Sequence, residues 1–176
     1  MQFHPSTVQT CTSTRLGTVR LAASAQGLAG LWFDGQRHQP PQLSGPGAWP
    51  HDPHHPVLVM AIEQLHQYLR GERTRFSLPL DLTGGTPFQQ DVWRALLAID
   101  CGHTTSYGAL GRQLGRPAAV RAVGAAVGRN PVSVVVPCHR VLGKDGSLTG
   151  YAGGLERKSA LLQLEGATLR RAGVPA

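Results

Sequence analysis

Pro137-Cys138-His139-Arg140-Val141 follows the apolar run Val132-Ser133-Val134-Val135-Val136, and Cys138 stands eight residues after Asn130. The run reads as a buried extended segment. It would deliver Cys138 from the core at a fixed place, with a histidine and an arginine beside it. The thiolate is the reactive form of cysteine, and cationic or hydrogen-bonding neighbours favour it. A lone cysteine is more often a buried, inert packing residue. The sequence on either side reverses that expectation.

Upstream, the chain reads as helical. Thr86-Pro87-Phe88-Gln89 has the form of a capping box with proline at the first helical position. Phe88, Val92, Leu96 and Ile99 continue as an apolar stripe. Ser106 can cap a short helix through Leu114, which Gly115-Arg116 breaks; Pro117 then opens a helix toward Gly128. Two short helices joined by a glycine-containing turn form a helix-turn-helix pattern. The second helix, Ala118 to Ala126, is small-sided. Such a helix can approach a DNA groove closely, yet it has little with which to hydrogen-bond base edges, so weak sequence preference is expected. That excludes a sequence-specific regulator, whose second helix would carry polar base-reading side chains.

The first half reads as a small α/β unit. Val19-Arg20-Leu21-Ala22 and Leu28 to Phe33 flank Ser24-Ala25-Gln26-Gly27, a hairpin-like spacing. Residues 34–56, rich in Pro, Gly, Gln and His, read as a long loop. Leu58, Ile62, Leu65 and Leu69 mark one face of a helix that Pro56 opens and Gly71 ends. Phe76, Leu78, Leu80 and Leu82 alternate as a strand, and Thr83-Gly84-Gly85 reads as a linker. The expected division is therefore an α/β domain over 1–85 and a mainly α domain over 86–176. Trp32, Phe33 and Trp49 read as packing residues. His51, His54 and His55 lack ligand spacing and supply no set of four donors, so no metal and no cofactor are expected.

Charge is uneven along the chain. Of the net +7, residues 1–85 carry +1 and residues 86–176 carry +6. Arg112, Arg116, Arg121, Arg129, Arg140 and Lys144 cluster in sequence, as a phosphate-tracking surface requires. With 41% apolar residues the chain can bury a core. No run approaches the roughly 20 apolar residues of a membrane span. The amino terminus shows no secretion signal, and three scattered cysteines, Cys11, Cys101 and Cys138, suit a reducing cytoplasm.

Six blocks in order, Ser106-Tyr107-Gly108, Arg121-Ala122-Val123-Gly124, Asn130-Pro131, Pro137 to Val141, Gly150-Tyr151-Ala152-Gly153-Gly154 and Leu164-Glu165-Gly166, resemble the methylated-DNA–protein-cysteine methyltransferases, the 6-O-alkylguanine-DNA alkyltransferases. The resemblance is strong over residues 86 to 166 and general before them. It implies a ribonuclease H-like first domain with a small antiparallel sheet and a helix, and an alkyl-transfer domain with a helix-turn-helix.

The implied activity is direct-reversal repair. After nucleotide flipping, an alkyl group passes irreversibly from 6-O-alkylguanine in duplex DNA to Cys138, and the resemblance allows 4-O-alkylthymine as a further substrate. The thioether has no easily expelled group, so each molecule acts once. The resemblance implies His139 as the base through a water, Glu165 as its orienter and Asn130 as the brace of the active-site turn. It implies that Arg121 fills the vacated stack, that Tyr107 presses the target phosphate and donates to the purine, and that Ala119, Ala122 and Gly124 lie on the DNA face. Tyr151, Val141, Ala152 and Ser133 would form the pocket, with backbone groups of Cys138, Val141 and Ala152 at the guanine edge; Arg140 would be structural or phosphate-pairing. The sequence departs from the pattern at Ala152, where many relatives have Ser, at Ser133, where some have Pro, and at Val127, where bacterial relatives often have Asn. A monomer bound to DNA in the nucleoid follows. Cys138 argues against the non-catalytic relatives, which carry Trp in its place. A turnover cysteine hydrolase would differ in stoichiometry.

Overall fold

The computed structural model describes residues 1–167 of the 176. Arg170, Arg171 and the end of the expected second domain lie outside the described residues. Three antiparallel strands open the chain: β1 (Val8–Thr14), β2 (Gly17–Ser24) and β3 (Gly27–Phe33), in the order β1-β2-β3. The expected hairpin is β2–β3, with Ser24 paired to Gly27 across the turn. β1 was not legible as a strand, because Val8-Gln9-Thr10-Cys11-Thr12-Ser13-Thr14 has almost no apolar alternation. As an edge strand it needs only part of one face buried.

Helix α1 (Pro56–Leu69) packs against this sheet through Leu58, Ala61, Leu65, Tyr68 and Leu69. Proline sits in its first turn, as expected, and Gly71 beyond its end adopts φ +78°. The loop between β3 and α1 holds one 3-10 turn, Pro41–Leu43. Trp49 from this loop packs with Phe3 and Trp32 on the sheet's other face.

The strand expected over Phe76 to Leu82 does not form. Pro79 has no N–H to give to a ladder. The segment instead touches β3 at one place: Leu28 donates to Pro79 O at 2.8 Å, and Asp81 donates to Leu28 O at 2.9 Å.

In the second half, α2 (Pro87–Leu97) starts at the expected capping box, with Gln89 N on Thr86 Oγ1 at 3.3 Å and Thr86 N on Gln89 Oε1 at 3.0 Å. A Cβ at Gly85 would overlap the buried Trp93 ring, which explains glycine there. A two-residue strand β4 (Thr105–Ser106) leads into α3 (Tyr107–Gln113), capped by Ser106. After a turn in which Gly115 adopts φ +68°, α4 (Val120–Gly128) follows. It begins three residues later than expected from Pro117; Arg116 to Ala119 form a hydrogen-bonded turn, and Ala119 has no side-chain acceptor to cap with. Trp93 Nε1 donates to Ala126 O at 2.9 Å and locks α2 to α4.

Strand β5 (Val141–Leu142) pairs in parallel with β4, and α5 (Leu155–Leu164) closes the unit. One continuous apolar cluster joins the sheet, α1, α2, α4 and residues 132–138. No helix among the described residues is long and apolar enough to cross a membrane.

Candidate active site

Cys138 to Arg140 form a single 3-10 turn. The run before it is buried as expected but is not extended. Val136 N donates to Val132 O at 2.9 Å, and Val134 adopts φ +72°, a strained conformation for a β-branched residue. The cause is Asn130. Its Nδ2 donates to Val136 O at 2.8 Å and Val132 O at 3.4 Å, and its Oδ1 accepts from Val132 N at 3.0 Å. The same Nδ2 lies 3.0 Å from Cys138 Sγ. Outside the turn, Leu31 N donates to Pro131 O and Ser133 N to Leu31 O, each at 2.9 Å, so the turn is sewn onto the edge of β3.

His139 is fully buried, with Nε2 2.9 Å from Glu165 Oε1. Glu165 also accepts from Tyr68 Oη at 2.6 Å and from Arg140 Nη2 at 2.7 Å and Nε at 3.0 Å. Burial would raise the Glu165 carboxyl, but hydrogen bonds from His139, Arg140 and Tyr68 hold it well below the usual carboxylate range. It is therefore an anion, and the network assigns the ring proton to Nε2. Nδ1 is left with a bare lone pair, buried and without a partner among the described residues. Burial outweighs Glu165 and holds His139 below its ordinary value, so the ring is neutral and Nδ1 can accept a proton.

Burial pushes the Cys138 thiol up to about 11, against the Asn130 hydrogen bond and the charge of Lys158. The resting group is a thiol, which must surrender its proton during reaction. Arg140 is not the cation that helps it. Its guanidinium is buried against Glu165 and Ile99 O, which removes it from the expected phosphate-tracking surface and leaves it a structural role.

A cavity of about 100 Å³ opens on Cys138, lined by Arg37, Tyr107, Gly124, Val127, Gly128, Gly150, Tyr151 and Ala152. Tyr151 and Ala152, two of the four expected pocket residues, line it. Val141 and Ser133 lie outside this lining: Ser133 Oγ donates to Gln36 Oε1 at 3.1 Å, and Val141 O accepts from Lys158 Nζ at 2.6 Å. Of the three departures noted in the sequence, Val127 and Ala152 face the cavity. A second cleft, about 460 Å³, lies behind the same turn between Phe76, Ile99, Cys101 and Pro137. Burial and Glu165 raise the Cys101 thiol there.

On α4, Arg121 and Ala122 are exposed, Ala119 and Gly124 are half-buried, and Val123 and Ala126 face the core. Tyr107 is half-buried at the cavity wall, its hydroxyl 3.4 Å from Gly150 O. Arg112, Arg116, Arg121, Arg129 and Lys144 are exposed. No group of three or more His, Cys, Asp or Glu converges as a metal site among the described residues.

Three contributors escaped the sequence reading. Tyr68 sits among the buried residues of α1, and nothing local in the sequence marks its hydroxyl for a polar partner. Arg37 lies in the Pro/Gly-rich loop, yet its N–H donates to Ala152 O at 3.1 Å and its Nη2 to Tyr151 O at 3.4 Å. Lys158 is fully buried, and no charge pattern announces it.

Fold and site together define a two-part thiol protein, in which a sheet domain braces a helix-turn-helix unit carrying one cysteine set beside an acid–base pair. Residues 7–82 match the family model of the 6-O-methylguanine DNA methyltransferase ribonuclease-like domain, and residues 87–167 that of the 6-O-methylguanine DNA methyltransferase DNA binding domain. The chain is 47% identical over 150 residues to the methylated-DNA–protein-cysteine methyltransferase of Mycobacterium tuberculosis H37Rv, covering 85% of this chain and 87% of the relative. It is 57% identical over 104 residues to the Salmonella typhimurium protein of the same name, covering 59% and 61%. The crystal structure of Mycobacterium tuberculosis OGT in complex with DNA matches with a TM-score of 0.81 at 43% identity, over 90% of this chain and 92% of that one. The chain belongs to the 6-O-methylguanine DNA methyltransferase family.

Proposed function

We propose that this protein repairs alkylated duplex DNA by moving the alkyl group of 6-O-alkylguanine onto Cys138 Sγ, once per molecule. The observation that carries this reading is the Cys138 sulfur at the floor of a cavity, held by Asn130, with the lone pair of His139 Nδ1 next along the chain and Glu165 behind it.

In the reaction the thiol proton passes to His139 Nδ1, directly or through a water, as the sulfur attacks the alkyl carbon. Glu165 stabilises the imidazolium that forms. The carbon–oxygen bond breaks as the carbon–sulfur bond forms. The proton returns to the guanine anion, leaving normal guanine in DNA and a thioether on the protein. No cofactor takes part.

A cavity of about 100 Å³ is well below the roughly 300 Å³ at which pockets for whole small molecules begin. It suits an alkyl group and one edge of a base, and the nucleotide must flip to reach it. The exposed Arg121 and Ala122 of α4, with the half-buried Gly124 and the N-cap Ala119 beside them, enter a groove, and Arg121 occupies the gap. Tyr107 presses the target phosphate. Cys138 O accepts from Val141 N and Val141 O from Lys158 Nζ, and in this reading both carbonyls also meet the guanine edge. The functional division at residue 85, a monomeric state, action on 4-O-alkylthymine and a place in the nucleoid of the cytoplasm belong to the same reading.

The test is Cys138→Ser. It should bind lesion-bearing duplex as wild type does and transfer no methyl group. Methyl transfer persisting at a comparable rate would remove Cys138 from the chemistry.

A further inference from the structure

Gly150-Tyr151-Ala152-Gly153-Gly154, which carries the cavity wall, is a pliant stretch of chain. Gly150 and Gly154 adopt φ +39° and +92°, conformations that cost glycine little. Glycine also leaves the backbone free to move, so the place of this wall must be fixed from outside it. Both groups that do so involve the sheet half. Arg37 N donates to Ala152 O at 3.1 Å. The stronger tie is Arg157, half-buried in the first turn of α5.

The Arg157 guanidinium joins the two halves. Nε donates at 2.8 Å to Leu16 O, in the turn between β1 and β2, and Nη1 donates at 2.9 Å to Gly153 O. Its central carbon lies 4.8 Å from the centre of the Phe33 ring at the end of β3. A planar fork of donors can satisfy two carbonyls at once while its face rests on an aromatic ring, which an ammonium cannot do. Gly153 is itself wedged between rings. A Cβ added there would stand 2.8 Å from the Tyr151 ring and 3.2 Å from Phe33. Any movement of Gly153 is therefore passed to Tyr151, which shares the cavity with Cys138. Arg157 makes no ion pair among the described residues, so carbonyls and a ring are its partners in place of a carboxylate.

We propose that Arg157 is a positioning residue that sets the width of the Cys138 cavity: by tying Gly153 O to Leu16 O and the Phe33 ring, it holds the Tyr151 wall against the sheet half and limits the size of the group that can reach the sulfur. The first half of the chain thereby acts on substrate choice without touching substrate. The cavity of about 100 Å³ is the tied state, which fits small alkyl groups. Releasing Gly153 lets the glycine-rich wall move outward and admits larger ones. The inference deepens the alkyl-transfer reading, and rests on it for the transfer readout but not for thiol labelling.

Arg157→Ala tests it in a Cys11→Ser, Cys101→Ser background, where thiol reagents report Cys138 alone. Cys138 is labelled with iodoacetamide and, separately, with N-benzyliodoacetamide. Both present the same reacting carbon, so the ratio of the two rates cancels any change in thiol acidity and reads access by size. The ratio of large to small reagent should rise about threefold to tenfold in the variant, the range that one or two lost hydrogen bonds allow. The ratio of transfer rates from free 6-O-benzylguanine and free 6-O-methylguanine should rise with it. Arg157→Lys keeps the charge but not the fork, and its ratios should lie above wild type and below Arg157→Ala. A lower urea midpoint with labelling ratios at or below those of wild type overturns the proposal and leaves Arg157 a tie for stability alone. Should Arg157→Ala not fold, Arg157→Lys carries the test, and ratios equal to wild type refute it. Absence of transfer by wild type would instead overturn the alkyl-transfer reading, and the labelling ratio would still decide the role of Arg157.

Discussion

The Tyr68 hydroxyl, carried by α1 in the first half of the chain, donates to Glu165 Oε1 at 2.6 Å and so ties the sheet domain to the acid–base pair of the second half. Tyr68→Phe removes one donor from an anion that keeps His139 and Arg140. A hydrogen bond to a charged group is worth roughly 1.5–3 kcal/mol. The variant should lose stability in that range by urea unfolding and slow methyl transfer less than Glu165→Gln does. Stability equal to wild type would mean that this bond is not formed in solution.

Glu165→Gln should be the more damaging change. It removes the charge proposed to stabilise His139 as an imidazolium and leaves the buried Arg140 cation uncompensated, a loss of about 3–5 kcal/mol when one partner of a buried pair is removed. Transfer should slow, and its pH profile should shift. A profile identical to wild type would take Glu165 out of the relay.

The same pair sets the acid limit. Glu165 is held below its ordinary 4.5, so its stabilisation is complete above that value and is lost as pH falls beneath it. His139 is held below 6.5, so the unfolded chain binds its proton first and acidification below 6.5 favours unfolding as well. Urea midpoints should fall as pH drops from neutrality through 6.5 and further below 4.5. A midpoint independent of pH over that span contradicts the assigned charge states.

Asn130→Ala removes the donor at the Cys138 sulfur and the brace of the turn. With Val136 O and Val132 N left to find other partners in the core, stability should fall by at least about 2 kcal/mol. The thiol, already near 11, should rise further. Thiolate absorbance against pH checks this, and an unchanged curve would show that the Asn130 contact does not act on sulfur.

Residues whose role shows in local chemistry were legible in the sequence. The capping box at Thr86, the β2–β3 hairpin and the Cys138-His139 pair each announce themselves within a few positions. Glu165 was reached only through the family pattern, since nothing in Leu164-Glu165-Gly166 points at a histidine 26 residues away. Lys158, Arg37 and Tyr68 were not legible, because their partners are main-chain carbonyls or a side chain in the other half. Two expected extended segments failed for physical reasons visible afterwards: Pro79 cannot feed a ladder, and Asn130 captures the carbonyls that a strand over 132–136 would have used. Arg140 reads as structural or phosphate-pairing from the sequence, and its burial against Glu165 favours the structural role.

Arg121 is exposed on α4 and makes no ion pair among the described residues, which leaves it free for DNA. Arg121→Ala should depress reaction with lesion-bearing duplex far more than with free 6-O-alkylguanine. Only the duplex must unstack, at a cost of a few kcal/mol, and about 1.4 kcal/mol of lost compensation is tenfold in rate. The ratio of duplex to free-base rates at saturating substrate decides it. An unchanged ratio would make Arg121 an ordinary backbone contact.

The central claim is stoichiometric transfer to one sulfur. Intact mass after incubation with excess duplex DNA holding a single 6-O-methylguanine tests it most directly. The account predicts a gain of one methyl group per molecule, located on the peptide containing Cys138, with repair ceasing at one equivalent. Continued product formation by unmodified protein, or a methyl group found on Cys11 or Cys101 instead, would contradict it.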